Sequence, residues 1–150
     1  IFNERVLNNE PVGDIEVRYS KLEGVEIKGN KVGTFIDEIP IIAVAAAFSK
    51  GKTIIRNVEE LKHKESNRIK AIVTELKKMG SNIEELSDGM AIEGVNSLKP
   101  ASLNSYNDHR IAMALSIAAL KAEGDSIING YKCVNISYPN FYKTLYKLIS

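Results

Sequence analysis

The sequence predicts an α/β protein built of two tandem units, with helices packed on one face of small mixed sheets. Three observations predict it. The order strand–helix–strand–helix occurs twice, at a spacing of roughly 65–70 residues. The first helix of each copy, over residues 39–48 and 111–121, is strongly apolar and ends near a glycine, Gly51 or Gly124. Each is then followed by a β-branched run, Thr53-Ile54-Ile55 and Ser126-Ile127-Ile128. Small sheets covered by helices satisfy this alternation.

Taken in order, residues 24–29 (Gly-Val-Glu-Ile-Lys-Gly) alternate polar and apolar between two glycines, which predicts a short strand. Asp37 stands where it can cap the first apolar helix, with Pro40 in its first turn, where a missing N–H does no harm. A second, amphipathic helix is predicted over 66–79. Gly80-Ser81-Asn82 turns the chain, and residues 83–92 predict a hairpin with Ser87-Asp88-Gly89 at its tip. Residues 89–94 repeat the G-x-x-I-x-G form of 24–29 and are expected to be the equivalent strand of the second copy. The expected units are therefore about 12–88 and 89–150. In the second, Asn107 or Asp108 caps the helix 111–121, and a last helix covers 139–149. The two apolar helices should be the most buried.

Composition narrows the function. The chain has 150 residues, 44% hydrophobic and 26% charged, enough to bury a core. A net charge of +1 gives no ground for a nucleic-acid partner, so any anion site must be local. No apolar stretch has the length of a membrane span, so no membrane partner is expected. Cys133 is the only cysteine, which excludes an internal disulfide and fits a reducing, cytoplasmic setting. Two histidines, His63 and His109, make a histidine-rich metal site a poor expectation. Ile1-Phe2-Asn3-Glu4-Arg5 reads as the interior of a longer chain and the end as a natural C-terminus, so a C-terminal fragment is expected.

Two mixed charge runs stand out, Lys64-Glu65-Ser66-Asn67-Arg68 and Asn107-Asp108-His109-Arg110, each beside an apolar helix. Lys64 and Arg68 at a helix N-terminus suit a phosphate or carboxylate. Glu65, three residues before Arg68, shares its face and suits proton exchange. Arg110 opens an apolar helix, and His109 can hydrogen-bond a ligand or carry a proton near neutral pH. Plainer assignments also fit: surface ion pairs for the first run, a helix cap for the second and for Asp37. His63 is expected to be exposed and Cys133 to be a buried, inert small residue.

Asp37-Glu38-Ile39-Pro40, Lys64-Glu65-Ser66-Asn67-Arg68, Asn107-Asp108-His109-Arg110-Ile111-Ala112-Met113 and Ser137-Tyr138-Pro139-Asn140-Phe141, in this order and at these distances, resemble the C-terminal part of the 5-enolpyruvylshikimate-3-phosphate synthases. The resemblance covers essentially the whole chain. It implies the enolpyruvyl transferase fold, with two domains of three β-α-β-α-β-β units each, and the chain as the last two units. It implies transfer of the enolpyruvyl group of phosphoenolpyruvate to the 5-hydroxyl of shikimate 3-phosphate, with release of phosphate, in aromatic amino-acid biosynthesis. No metal or organic cofactor is implied. The implied partners are the two substrates and an N-terminal domain of the same enzyme, which would act as a monomer.

By the same resemblance, Asp37 and Glu65 are the catalytic acid/base residues. Asp37 and Lys64 bind shikimate 3-phosphate, and Arg68, His109 and Arg110 bind phosphoenolpyruvate. Two positions depart from patterns seen in some members: Ile136 stands where a lysine contacts phosphoenolpyruvate, and Glu60 where an asparagine precedes the Lys-Glu pair. A fragment with one wall of the site is expected to be inactive alone. The alternatives are another enolpyruvyl transferase, such as the UDP-N-acetylglucosamine type, or a non-catalytic α/β binding module.

Overall fold

A computed structural model describes residues 1–150, the Asn30 side chain excepted. The chain opens with an antiparallel hairpin, β1 (Phe2–Leu7) and β2 (Glu10–Asp14). It turns at Asn8 and Asn9, both with positive φ, a conformation that asparagine tolerates in tight hairpins. The main body then runs β3 (Glu26–Ile27), α1 (Ile39–Ala46), β4 (Lys52–Ile55), α2 (Arg68–Lys78), β5 (Asn82–Leu86), β6 (Gly89–Glu93), β7 (Ser102–Asn104), α3 (His109–Ala119), β8 (Ile127–Asn129) and α4 (Phe141–Ile149).

The central sheet has the order β3–β4–β6–β5, with β3 parallel to β4 and the other pairs antiparallel. Its register puts Thr53 opposite Ile92, Ile55 opposite Met90, and Ile83 opposite Ile92. These side chains share the buried face, while Lys52 and Glu84 pair on the other. The core joins this face to Ile39, Ala43, Ile69, Ile72, Leu76, Ile111 and Leu115 of α1, α2 and α3. A second sheet pairs β7 and β8 in parallel around α3, as β3 and β4 are paired around α1.

Residues 24–29 and 89–94 are not equivalent strands. Both lie in the central sheet, with β3 and β6 on opposite edges of β4, and the counterpart of β3 is β7. A cut between residues 88 and 89 would divide the β5–β6 hairpin. The glycines of the second segment mark close backbone crossings rather than a repeat. A Cβ on Gly89 would sit 2.0 Å from the Ile55 carbonyl oxygen, and one on Gly94 1.6 Å from that of Ser49.

Helix limits shift for local reasons. Helix α2 starts at Arg68, not residue 66, because the Asn67 side chain caps it by accepting from the Lys70 N–H at 3.0 Å. Helix α4 starts at Phe141, two residues later than expected. Pro40 lies in the first turn of α1 as expected. Asp37 is not its cap: it lies in the 3₁₀ segment Asn30–Glu38, and Glu38 occupies the cap position without a side-chain bond. Helix α2 is as buried as α1 and α3, because it packs on the sheet and on both other helices. His63 is exposed, and Cys133 is only partly buried.

Candidate active site

Three chain segments meet at one end of the helices. The turn after β4 is pinned first: Arg56 donates to Asp88 at 2.7 Å, the Asn57 N–H to the same carboxylate at 3.2 Å, and Lys62 to the Ser87 carbonyl. The Asp88 pKa is lowered by these Arg56 and Asn57 contacts, against its partial burial. The β5–β6 turn thus anchors the 3₁₀ segment Glu59–His63, which delivers Lys64 and Glu65 to the site. Lys64 follows that segment and precedes α2, so it does not itself form a helix N-terminus.

Arg68, the first residue of α2, organises the cluster. Its side chain is 2% exposed. Nε donates to Asp108 Oδ2 at 2.7 Å and Nη2 to Oδ1 at 3.2 Å, a two-pronged contact with a carboxylate that is 0% exposed. Nη1 donates to Asp37 at 2.9 Å, and Nη2 also donates to Glu65. Of the five N–H bonds of a guanidinium, these contacts engage four. Burial alone would lower the Arg68 pKa, but the hydrogen bonds and charge of Asp108, with the charges of Glu65 and Asp37, raise it. Burial likewise pushes Asp108 up, and the Arg68 bonds and charge, the Ser66 hydroxyl at 3.0 Å and the Arg110 N–H pull it below its ordinary value.

Asp108 also caps α3, accepting from the N–H groups of Arg110 and Ile111. That fixes His109 and Arg110 in the first turn. His109 Nδ1 lies 3.7 Å from Glu65. Arg110 Nη1 donates to the Asp37 carbonyl at 3.1 Å and to Glu38. Its Nε and Nη2 have no protein partner among the described residues, and its side chain is 30% exposed. Beside it lies a shallow cavity of about 180 Å³ bounded by Asp37, Pro40, Met113, Ile117 and Phe141. Lys64 lies 3.6 Å from Asp37 and pairs with Glu60, whose hydrogen bond is the main cause of its raised pKa.

All six residues singled out from sequence, Asp37, Lys64, Glu65, Arg68, His109 and Arg110, therefore belong to one cluster. The family model for EPSP synthase (3-phosphoshikimate 1-carboxyvinyltransferase) matches residues 4–145. The chain belongs to the EPSP synthase family. Among EPSP synthase relatives, the 3-phosphoshikimate 1-carboxyvinyltransferase of Thermoanaerobacter sp. (strain X514) is 60% identical over 95% of this chain and 34% of its own length. That of Petrotoga mobilis is 51% identical over 100% of the chain and 35% of its own. The solved EPSP synthase of Acinetobacter baumannii superposes with a TM-score of 0.92 at 35% identity, over 97% of this chain and 34% of that one. The fold is thus that of the enolpyruvyl transferases, and the chain spans about a third of the length of the relatives it matches.

The EPSP synthase cluster holds residues that sequence reasoning missed. The sequence offers Asp108 only as a cap, yet it is also the carboxylate that pairs with the buried Arg68. Ser66 donates to it, and Glu75 and Tyr106 brace the same turn from below. The signal was present in Tyr106-Asn107-Asp108-His109-Arg110, where one acid sits between polar residues at the start of a helix otherwise too apolar to need it.

Proposed function

We propose that this chain forms one wall of a 3-phosphoshikimate 1-carboxyvinyltransferase active site, where enolpyruvyl passes from phosphoenolpyruvate to the 5-hydroxyl of shikimate 3-phosphate. The observation that carries this is the convergence of Asp37, the 64–68 run and the 108–110 run around Arg68. Arg110 offers the open guanidinium edge for the phosphate or carboxylate of phosphoenolpyruvate, and Arg68 lies behind it with one N–H to spare. Asp37 and Lys64 face shikimate 3-phosphate. Asp37 takes the proton of the attacking hydroxyl, and Glu65 exchanges a proton with the methylene carbon during addition and elimination. His109 lies against Glu65 and the anion. Loss of phosphate from the tetrahedral adduct regenerates the enol ether.

Charge supports an incomplete site. Five carboxylates (Asp37, Glu38, Glu60, Glu65 and Asp108) face three fixed cations (Lys64, Arg68 and Arg110). Two anionic substrates need more positive charge than this set holds, so further cations must come from the part of the enzyme that the relatives have beyond this segment. A partition into the units 12–88 and 89–150 is not retained in this proposal. A first unit closing with β6 and a second beginning with β7 accommodates the sheet order.

The test is a chimera in which this segment replaces the matching third of the Thermoanaerobacter relative. Phosphate release from phosphoenolpyruvate should require shikimate 3-phosphate and the chimera, and the 150-residue chain alone should give none. A folded chimera without this activity would overturn the proposal.

A further inference from the structure

Besides Asp108, the fully buried acid is Glu75, on α2, and no step above uses it. Its side chain is 0% exposed. Oε1 accepts from the Tyr106 hydroxyl at 2.7 Å, Oε2 from the Asn104 N–H at 3.0 Å, and both from Lys78 at 2.8 Å. Its carboxylate therefore ties α2 to the end of β7 and to the turn entering α3. That turn is strained: Tyr106 and Asn107 both have φ of 56°. It is closed by local bonds, from the Asn107 N–H to the Ser105 hydroxyl at 3.2 Å and from the Asp108 N–H to the Ser105 carbonyl at 2.9 Å.

Arg68 and Glu75 are two helical turns apart, so one face of α2 presents a cation and an acid about 10 Å apart along the axis. The cation holds Asp108 at the end of the strained turn, and the acid holds Asn104 and Tyr106 at its start. Neither contact fills a surface need. Both groups are buried, and burial with the Glu75 hydrogen bond and charge pushes the Tyr106 hydroxyl up to about 12. Two consecutive left-handed residues persist only where the surroundings fix them.

We propose that the Glu75–Tyr106 pair is a positioning device that holds the 104–108 turn in its left-handed form and so aims Arg110 and His109 at the anion. This inference rests on the reading of Arg110 as the phosphoenolpyruvate arm. Tyr106→Phe tests it, because the ring stays and only the hydroxyl goes. In the 150-residue chain, amide hydrogen exchange at Asn107, Asp108 and Arg110 should speed up roughly tenfold or more, with the α2 interior amides unchanged. Glu75→Gln, which keeps an acceptor for the Asn104 N–H and a partner for the tyrosine, should loosen the turn less than Glu75→Ala. In the chimera, Tyr106→Phe should raise the KM for phosphoenolpyruvate severalfold with kcat changed less. Unchanged exchange at the turn overturns the proposal, and so does a loosened turn with an unchanged KM. If the unmodified chimera is inactive, the functional reading fails while the exchange measurement still decides whether the pair holds the turn.

Discussion

Arg68 and Asp108, forty residues apart in the chain, form a two-pronged ion pair out of reach of solvent, with Nε 2.7 Å from Oδ2. The pair joins the start of α2 to the start of α3, and the site is arranged about that joint. A buried pair of this kind is weak evidence of net stabilisation, since desolvation offsets attraction, but removing one partner strands the other. Asp108→Ala should therefore destabilise the chain by about 3–5 kcal/mol. Urea unfolding measures it, and a loss under about 1 kcal/mol would show that Arg68 finds other partners.

The same pair predicts an acid dependence. Asp108 titrates below its ordinary value in the folded state. Its stabilisation is complete above the unfolded value, near ~4, and is lost as pH falls toward the lower folded one. The stability difference between the parent chain and Asp108→Asn should hold at neutral pH and shrink below about pH 4. A difference that stays constant down to about pH 2 would contradict the pairing.

The apolar helices, the hairpin 83–92 and the proximity of the two charge runs were legible in the sequence, because each depends on local period or on residues repeated at matched places. The strand equivalence was not. Gly24 and Gly89 share a spacing, yet both approach a neighbouring backbone in the same sheet, and a glycine does not reveal which strand it crosses. Asp37 carries the clearest lesson at the site. An acid before an apolar helix reads as a cap, and only the tertiary position of Arg68 diverts it from the helix to the cluster. Arg68 itself reads as a surface cation at a helix start, and Asp108 is the reason it is buried.

Alkaline pH offers a check on the brace beneath the turn. The Tyr106 hydroxyl is raised to about 12, above the unfolded value of about 10. Its contribution is fully present below the unfolded value and is lost as pH rises toward the folded one. The stability advantage of the parent chain over Tyr106→Phe should vanish between about pH 10 and pH 12. Chemical unfolding of the two across that window measures it, and an advantage that survives the window would mean that the hydroxyl is not bonded to Glu75.

The crossing at Gly94 predicts a packing penalty without any catalytic role. An added methyl would meet the Ser49 carbonyl, a backbone atom that moves only with the chain around it. Gly94→Ala should destabilise by about 1–3 kcal/mol, as overpacking does. Gly33→Ala, with nothing within 4 Å of its new methyl, serves as the matched control. Equal melting temperatures for the two variants would show that the crossing relaxes freely.

The two charged groups nearest the proposed chemistry should fail in different ways. Arg110 has free donors and partial exposure, which suit its proposed task of holding an anion. Removing it leaves ligand oxygens without a charged partner, and Arg110→Ala in the chimera should raise the KM for phosphoenolpyruvate roughly 10–100-fold. Glu65 is held by Arg68 on one oxygen and faces His109 with the other, so it stands between a fixed cation and a group able to exchange protons. Glu65→Gln keeps the shape and the Arg68 contact through its carbonyl but cannot accept a proton. Its kcat should fall by about 10²–10⁴ while the KM for phosphoenolpyruvate changes little. Steady-state kinetics with each substrate varied in turn separates the two. A Glu65→Gln chimera with full kcat would remove that residue from proton transfer. An unchanged KM in Arg110→Ala would move the anion to Arg68, whose release from Asp37 or Glu65 would then have to accompany binding.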